Sequence, residues 1–276
     1  MNTRSNVNRM VLLLAAAVAV AAAGSRSGAQ RPATPPPAHA PAQQPAQVPI
    51  DGFVARDYRG AGVVMPYRLF VPPMYDVHQA FPLVVWLHGA GGMGSDNLKQ
   101  ISGDQTPGTH AWTTVNEQAK HPSFVLAPQT TGVWNTDGGK PDRSPPLVAV
   151  LAIVRALERE YKIDPRRVYI AGQSIGGGGT WTLITSRPTP FAAAIVVCGV
   201  TPDTSRAVGA AAMPVWVFQG DQDYPGTVMS ARRMIAALER EGWSPKYTEY
   251  VGAGHAIWDR VFKNPELADW LFEQHK

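Results

Sequence analysis

Seven short β-rich runs recur along this chain, at residues 67–71, 83–87, 124–127, 168–171, 193–197, 215–218 and 247–250, with helical patterns between them. Most of the runs are continuously apolar instead of alternating, as expected of strands covered on both faces. The clearest helical pattern has Leu147, Val150, Leu151, Val154, Leu157 and Tyr161 at 3.6-residue spacing, behind Ser144 and two prolines. Two more helices are predicted over about 228–241 and 265–274. Strands alternating with helices predict an α/β fold, with a mostly parallel central sheet and helices on both faces. Fold class alone does not give function.

The ends of the chain divide differently. Arg4 and Arg9 precede an unbroken apolar run, Val11 to Ala23, and small residues follow it. This predicts a signal peptide over residues 1–29, with cleavage near Ser27-Gly28-Ala29. The run is shorter than the roughly 20 residues a membrane span needs, so no stable membrane anchor is expected. Residues 30–49 are dominated by Pro, Ala and Gln and cannot bury enough apolar surface to fold, so they read as a linker. One domain over residues 50–276 remains, in a secreted or periplasmic protein.

The formal charge of +4 does not point to nucleic acid. Three of the arginines lie in residues 1–29, which carry no acid, and the other cations are scattered among Asp and Glu. No basic stripe with interleaved aromatics is present, so no nucleic-acid partner is expected. Cys198 is the sole cysteine, which excludes an intramolecular disulfide. It follows an apolar run and reads as a packed, inert thiol.

Chemistry enters with Gly172-Gln173-Ser174-Ile175-Gly176, which follows a predicted strand and opens a predicted helix. This is the G-x-S-x-G elbow in the setting it requires, a serine on a sharp turn that glycines allow to close. A serine hydroxyl is a weak nucleophile until a base takes its proton. In chain order such a site runs Ser, then Asp or Glu, then His. His255 lies on a loop after the last predicted strand, within Gly252-Ala253-Gly254-His255. After the strand at 215–218, Gly220-Asp221-Gln222-Asp223 offers two carboxylates. Asp223 is the expected acid, because the turn through Gly220 carries it past the strand end, and Asp221 is then a turn residue. For the oxyanion, the expected donors are the backbone N–H of Ile175 and that of Ala90, in the loop His88-Gly89-Ala90-Gly91-Gly92.

With these features together, the chain from about Tyr67 onward resembles the esterase and “predicted peptidase” group of α/β-hydrolases, kin to polyhydroxyalkanoate depolymerase and feruloyl esterase domains. The matching residues include Tyr67-Arg68-Leu69-Phe70-Val71-Pro72, Asp96-Asn97, Lys99-Gln100, Ala127-Pro128-Gln129, Thr180-Trp181 and Trp258-Asp259. The resemblance implies an α/β-hydrolase fold and an esterase acting on short or aromatic acyl groups, and it supports Asp223 as the acid. Two departures stand out. Gln219 occupies the position where such enzymes often carry His, and Tyr224-Pro225-Gly226 replaces a more apolar turn.

Only Thr201 to Met213 separates the strand ending near Gly199 from the strand beginning near Pro214, so no sizeable lid is expected. An open site suits short-chain, aromatic or polymer-linked esters. Trp134 could supply aromatic surface beside it, while Trp181 reads as core. No cofactor is expected, and no metal, since the histidines are dispersed and neither a metal-binding nor a nucleotide-binding motif occurs. The reading is a serine carboxylic ester hydrolase. The alternatives are a peptidase of prolyl-oligopeptidase kind with the same triad, and a non-catalytic binding module on the same scaffold.

Overall fold

The computed structural model describes residues 48–60, 62–135, 141–201, 203–210 and 213–276. The expected signal peptide at 1–29, and all but the last two residues of the expected linker at 30–49, lie outside the described residues.

Eight strands form one sheet: β1 (Phe53–Gly60), β2 (Val63–Phe70), β3 (Phe81–Leu87), β4 (Phe124–Pro128), β5 (Ile163–Gln173), β6 (Ala193–Val197), β7 (Val215–Gly220) and β8 (Lys246–Tyr250). Their order is β1-β2-β4-β3-β5-β6-β7-β8. β1 and β2 run antiparallel to their neighbours, and β4 through β8 pair in parallel. All seven predicted strands are present. β1 was not predicted, because Arg56, Asp57 and Arg59 interrupt its apolar residues. At the sheet edge it needs only one covered face. Arg56 instead reaches across to α3 (Pro145–Glu160), where its guanidinium donates to Glu160 at 2.7 and 2.9 Å.

The helices fall on two sides of the sheet, and β3 shows why. Successive side chains of a strand point to opposite faces. Leu83, Val85 and Leu87 pack in one core with Leu147, Val150 and Val154 of α3, Trp181 of α4 (Ile175–Ile184) and Met234 of α6 (Pro225–Arg240). Val84 and Trp86 pack in the other with Trp112 and with Leu267 and Leu271 of α8 (Glu266–Phe272). The whole of β3 is buried. Each such side chain contributes about 1.5–3 kcal/mol of transfer free energy, so both faces drive the sheet to form. The shorter helices α1 (Thr106–His110), α2 (Val115–Lys120), α5 (Ala207–Ala210) and α7 (Trp258–Phe262) complete the layers. They are too short to carry a helical period, and the sequence did not announce them.

Parallel strands place their C-terminal ends on one edge, so the loops after β3, β5, β7 and β8 meet there. The β3 loop is held by His88, which is fully buried. The Thr130 N–H donates to His88 Nε2 at 3.1 Å, so the ring proton is on Nδ1 and is donated to the Gly89 carbonyl at 2.7 Å. Trp134 Nε1–H donates to the His88 carbonyl at 2.9 Å. Burial pushes the imidazole down to about 4, only partly offset by the Gly89 carbonyl, from the ordinary value of 6.5.

A base depressed in the folded state contributes stability above its unfolded value and loses it on acidification. Between pH 6.5 and about 4, His88 alone should cost roughly 3 kcal/mol. Urea unfolding of the wild type and of His88→Gln at pH 7.5 and 4.5 checks this. The variant is expected to start less stable and to lose less on acidification. Equal losses would remove His88 from the account.

Candidate active site

Ser174 sits between β5 and α4 with φ 54° and ψ −119°, a conformation that a residue with a side chain adopts only under strain. Two glycines make the turn possible. A Cβ on Gly172 would lie 2.4 Å from the Gly176 carbonyl oxygen. One on Gly176 would lie 1.9 Å from the carbonyl oxygen of Leu87. Strand, turn and helix therefore touch backbone to backbone, and the serine is thrust out at the sheet edge.

His255 follows β8 on a loop, and its Nε2 lies 2.9 Å from Ser174 Oγ. Its Nδ1 lies 2.8 and 2.9 Å from the two carboxylate oxygens of Asp223. The loop is stitched to the turn after β7. Gln222 N–H donates to the Ala253 carbonyl at 2.9 Å, and Gly252 N–H donates to Asp221 Oδ1 at 2.7 Å. Asp221 is thus a turn residue that braces the histidine loop, while Asp223 faces the imidazole. The ring is bounded by Trp258, edge-on at 5.2 Å, and by Tyr224 at 5.4 Å.

The Asp223 side chain is wholly buried. Burial pushes its carboxyl up, but hydrogen bonds from His255, the Tyr224 N–H and Gln219 outweigh this and hold it below the ordinary carboxylate range. A carboxylate kept ionised against Nδ1 fixes the tautomer that leaves Nε2 free to accept the serine proton. The arrangement can therefore move a proton from a hydroxyl to an imidazole and stabilise the resulting imidazolium.

Ile175 and Ala90 each begin a helical segment, α4 and the 3₁₀ turn Ala90–Gly92 respectively. A first helical residue has no intrahelical acceptor for its N–H, so both groups are available to a ligand. The close approach of Gly176 to the Leu87 and His88 carbonyls brings the two segments side by side.

A cleft of about 310 Å³ opens over Ser174, Ile175 and His255, lined also by Trp134, Val133, Val200 and Tyr224 among others. Val133, Val200 and Tyr224 are exposed at its mouth. Trp134 is buried in the wall, and Trp181 lies in the core as its helical position suggested. Above β6, the described part of the connection to β7 holds only the 3₁₀ turn Thr204–Arg206 and α5. Among the described residues, the ligand-type group close enough to share a metal ion is Cys198, Asp223 and His255, within 4.8 Å of one another. Burial pushes the Cys198 thiol far up, so it keeps its proton and serves poorly as a ligand.

Sequence reading missed two contributors, Gln219 and Thr130. Gln219 was visible only as a departure from the expected histidine. Thr130 acts through its backbone N–H, which no side-chain pattern reveals.

Comparison with known proteins agrees with this architecture. Residues 147–208 match the prolyl oligopeptidase family. A probable feruloyl esterase C of Aspergillus clavatus is 27% identical over 134 residues, covering 48% of this chain and 45% of that protein. A poly(3-hydroxybutyrate) depolymerase of Ralstonia pickettii is 32% identical over 138 residues, covering 45% of this chain and 26% of that protein. The chain thus spans less than half the length of either of these curated relatives. The crystal structure of a thermostable esterase superimposes with a TM-score of 0.76 at 39% identity, over 82% of this chain and 64% of that one. With an eight-stranded, mostly parallel sheet, an elbow serine and these relatives, the chain has the α/β-hydrolase fold and is similar to esterases built on it.

Proposed function

We propose that this protein hydrolyses carboxylic esters through an acyl-enzyme on Ser174, with His255 as general base and then general acid. Asp223 orients and stabilises the imidazolium, and the backbone N–H groups of Ile175 and Ala90 receive the oxyanion. The observation that carries the reading is the unbroken relay Ser174 Oγ–His255 Nε2, His255 Nδ1–Asp223. In the first half-reaction Oγ attacks the ester carbonyl as Nε2 takes its proton. The tetrahedral oxyanion collapses, expelling the alcohol, to which Nε2 returns the proton. Water, deprotonated by the same nitrogen, then releases the acid. Two N–H donors fixed at the developing charge need no reorganisation as it forms, and removing one such donor typically costs 10²–10³ in rate.

The substrates proposed are short-chain, aromatic or polymer-linked acyl esters. An open cleft with an exposed apolar rim supports this, and so do the names of the relatives. A peptidase reading keeps some support from the prolyl oligopeptidase match at residues 147–208, since acyl transfer to an amine leaving group uses the same groups. Export belongs to the same proposal, and rests on the charged front and apolar run within residues 1–29. Residues 30–49 would tether the domain formed by residues 50–276.

The test is kcat/KM across p-nitrophenyl esters from acetate to palmitate, with a feruloyl ester and peptide amides alongside. Esters are expected to turn over and amides not. A chain buried under a lid would gain about 0.8 kcal/mol per CH₂, roughly fourfold in rate. Here kcat/KM should flatten or fall beyond short chains, and the feruloyl ester should be accepted. Ser174→Ala should lower turnover by about 10⁶-fold with the fold intact. A steady rise to palmitate would contradict the open cleft, and a preference for amides would favour the peptidase.

The two carboxylates should separate cleanly. Asp223→Asn should lower kcat by about 10⁴-fold by favouring the wrong histidine tautomer. Asp221→Asn, which only weakens the brace to Gly252, should cost less than about tenfold. The reverse order would displace Asp223 from the relay.

A further inference from the structure

Gln219 is the penultimate residue of β7 and is wholly buried. It shares a strand face with Val215 and Val217, both of which pack in the apolar core. An apolar residue would continue that face. Instead an amide is buried there, and its Oε1 has no hydrogen-bond partner among the described residues. Leaving such an acceptor unsatisfied costs about 1–3 kcal/mol. Breaches of pattern of this kind concentrate at functional sites. The compensating contact is on the other end of the amide. Nε2–H donates to Asp223 Oδ2 at 2.7 Å and to the Gly220 carbonyl at 3.2 Å.

The two oxygens of Asp223 are held in matching ways. Oδ1 accepts from the Tyr224 N–H at 2.6 Å, Oδ2 accepts from Gln219, and His255 Nδ1 bridges both. One clamp is main chain and survives any substitution but proline, and the other is the Gln219 side chain. Among the described residues no Lys or Arg pairs with Asp223. The titratable groups that face it are His255 from the loop after β8 and the Cys198 thiol from the end of β6. Asp221, in the same turn, is engaged with Gly252 N–H.

We propose that Gln219 is a positioning residue for the reaction: its amide N–H fixes the plane of the Asp223 carboxylate and disperses its charge, and so sets how readily His255 gains and returns the proton. The proposal rests on the triad reading above. An amide does not titrate, so this clamp has the same strength at every working pH. That distinguishes it from the histidine that related enzymes often carry at this position.

The experiment is the pH dependence of kcat and kcat/KM on a short aryl ester, for wild type and three variants. Gln219→Leu removes the donor. The carboxylate charge is then less dispersed and the imidazolium better stabilised, so the acid limb of kcat/KM should move to higher pH, by roughly half a unit. kcat should fall roughly tenfold with KM little changed, as for an interaction made in the transition state. Gln219→Met keeps the length of the side chain but carries no donor. It should move the limb in the same direction and by about as much, which a purely space-filling role would not do. Gln219→His retains a ring N–H and should keep kcat within about threefold, without the upward shift. If the limbs of the Leu and Met variants coincide with that of wild type while Ser174→Ala is inactive, the role of Gln219 is overturned and the triad stands. Turnover by Ser174→Ala would overturn both.

Discussion

A carboxylate sealed from water is the group in this protein that is hardest to keep charged, and the site is arranged around that difficulty. Removing an ion from water costs several kcal/mol unless hydrogen bonds and an opposite charge offset it. Asp223 receives fixed donors on both oxygens and faces an imidazole that would become cationic in the proposed reaction. Each charge-assisted bond contributes about 1.5–3 kcal/mol, enough to hold the carboxyl ionised despite its burial. In the proposed mechanism that anion sets the tautomer of the imidazole, and the tautomer gives Ser174 its base.

The rest of the fold delivers these groups to one point. The relay joins residues 81 and 32 positions apart, so nothing local could align them to within 3 Å. A parallel sheet does so because its strands all end on one edge, and because both faces are buried the strand ends cannot drift. The backbone contact of Gly176 with the β3 loop sets the elbow against the segment that begins at Ala90, and neutral His88 locks that segment from behind. The strained backbone at Ser174 is sustained by this packing.

Much of this was legible in the sequence, for physical reasons that differ from element to element. The continuous apolar runs gave seven strands, since a strand buried on both faces has no choice of composition. β1 was hidden because an edge strand tolerates Arg56, Asp57 and Arg59. β5 begins five residues before its apolar run, through the polar Asp164-Pro165-Arg166-Arg167. Ser174, His255 and Asp223 could be named from strand–turn context, and they lie within hydrogen-bonding distance of one another along the chain Ser174–His255–Asp223. Gln219 and the ring orientation of His88 could not be found that way. Their contributions depend on which atom faces which across the fold, and residue type alone does not encode that.

The account turns on whether the relay makes Ser174 nucleophilic. The most direct measurement is peptide mapping by mass spectrometry after reaction with a fluorophosphonate, on wild type and on His255→Ala. The account predicts one stoichiometric adduct on Ser174 in the wild type, and labelling slower by orders of magnitude in folded His255→Ala. Labelling of another residue, or equally fast labelling of Ser174 without His255, would contradict it.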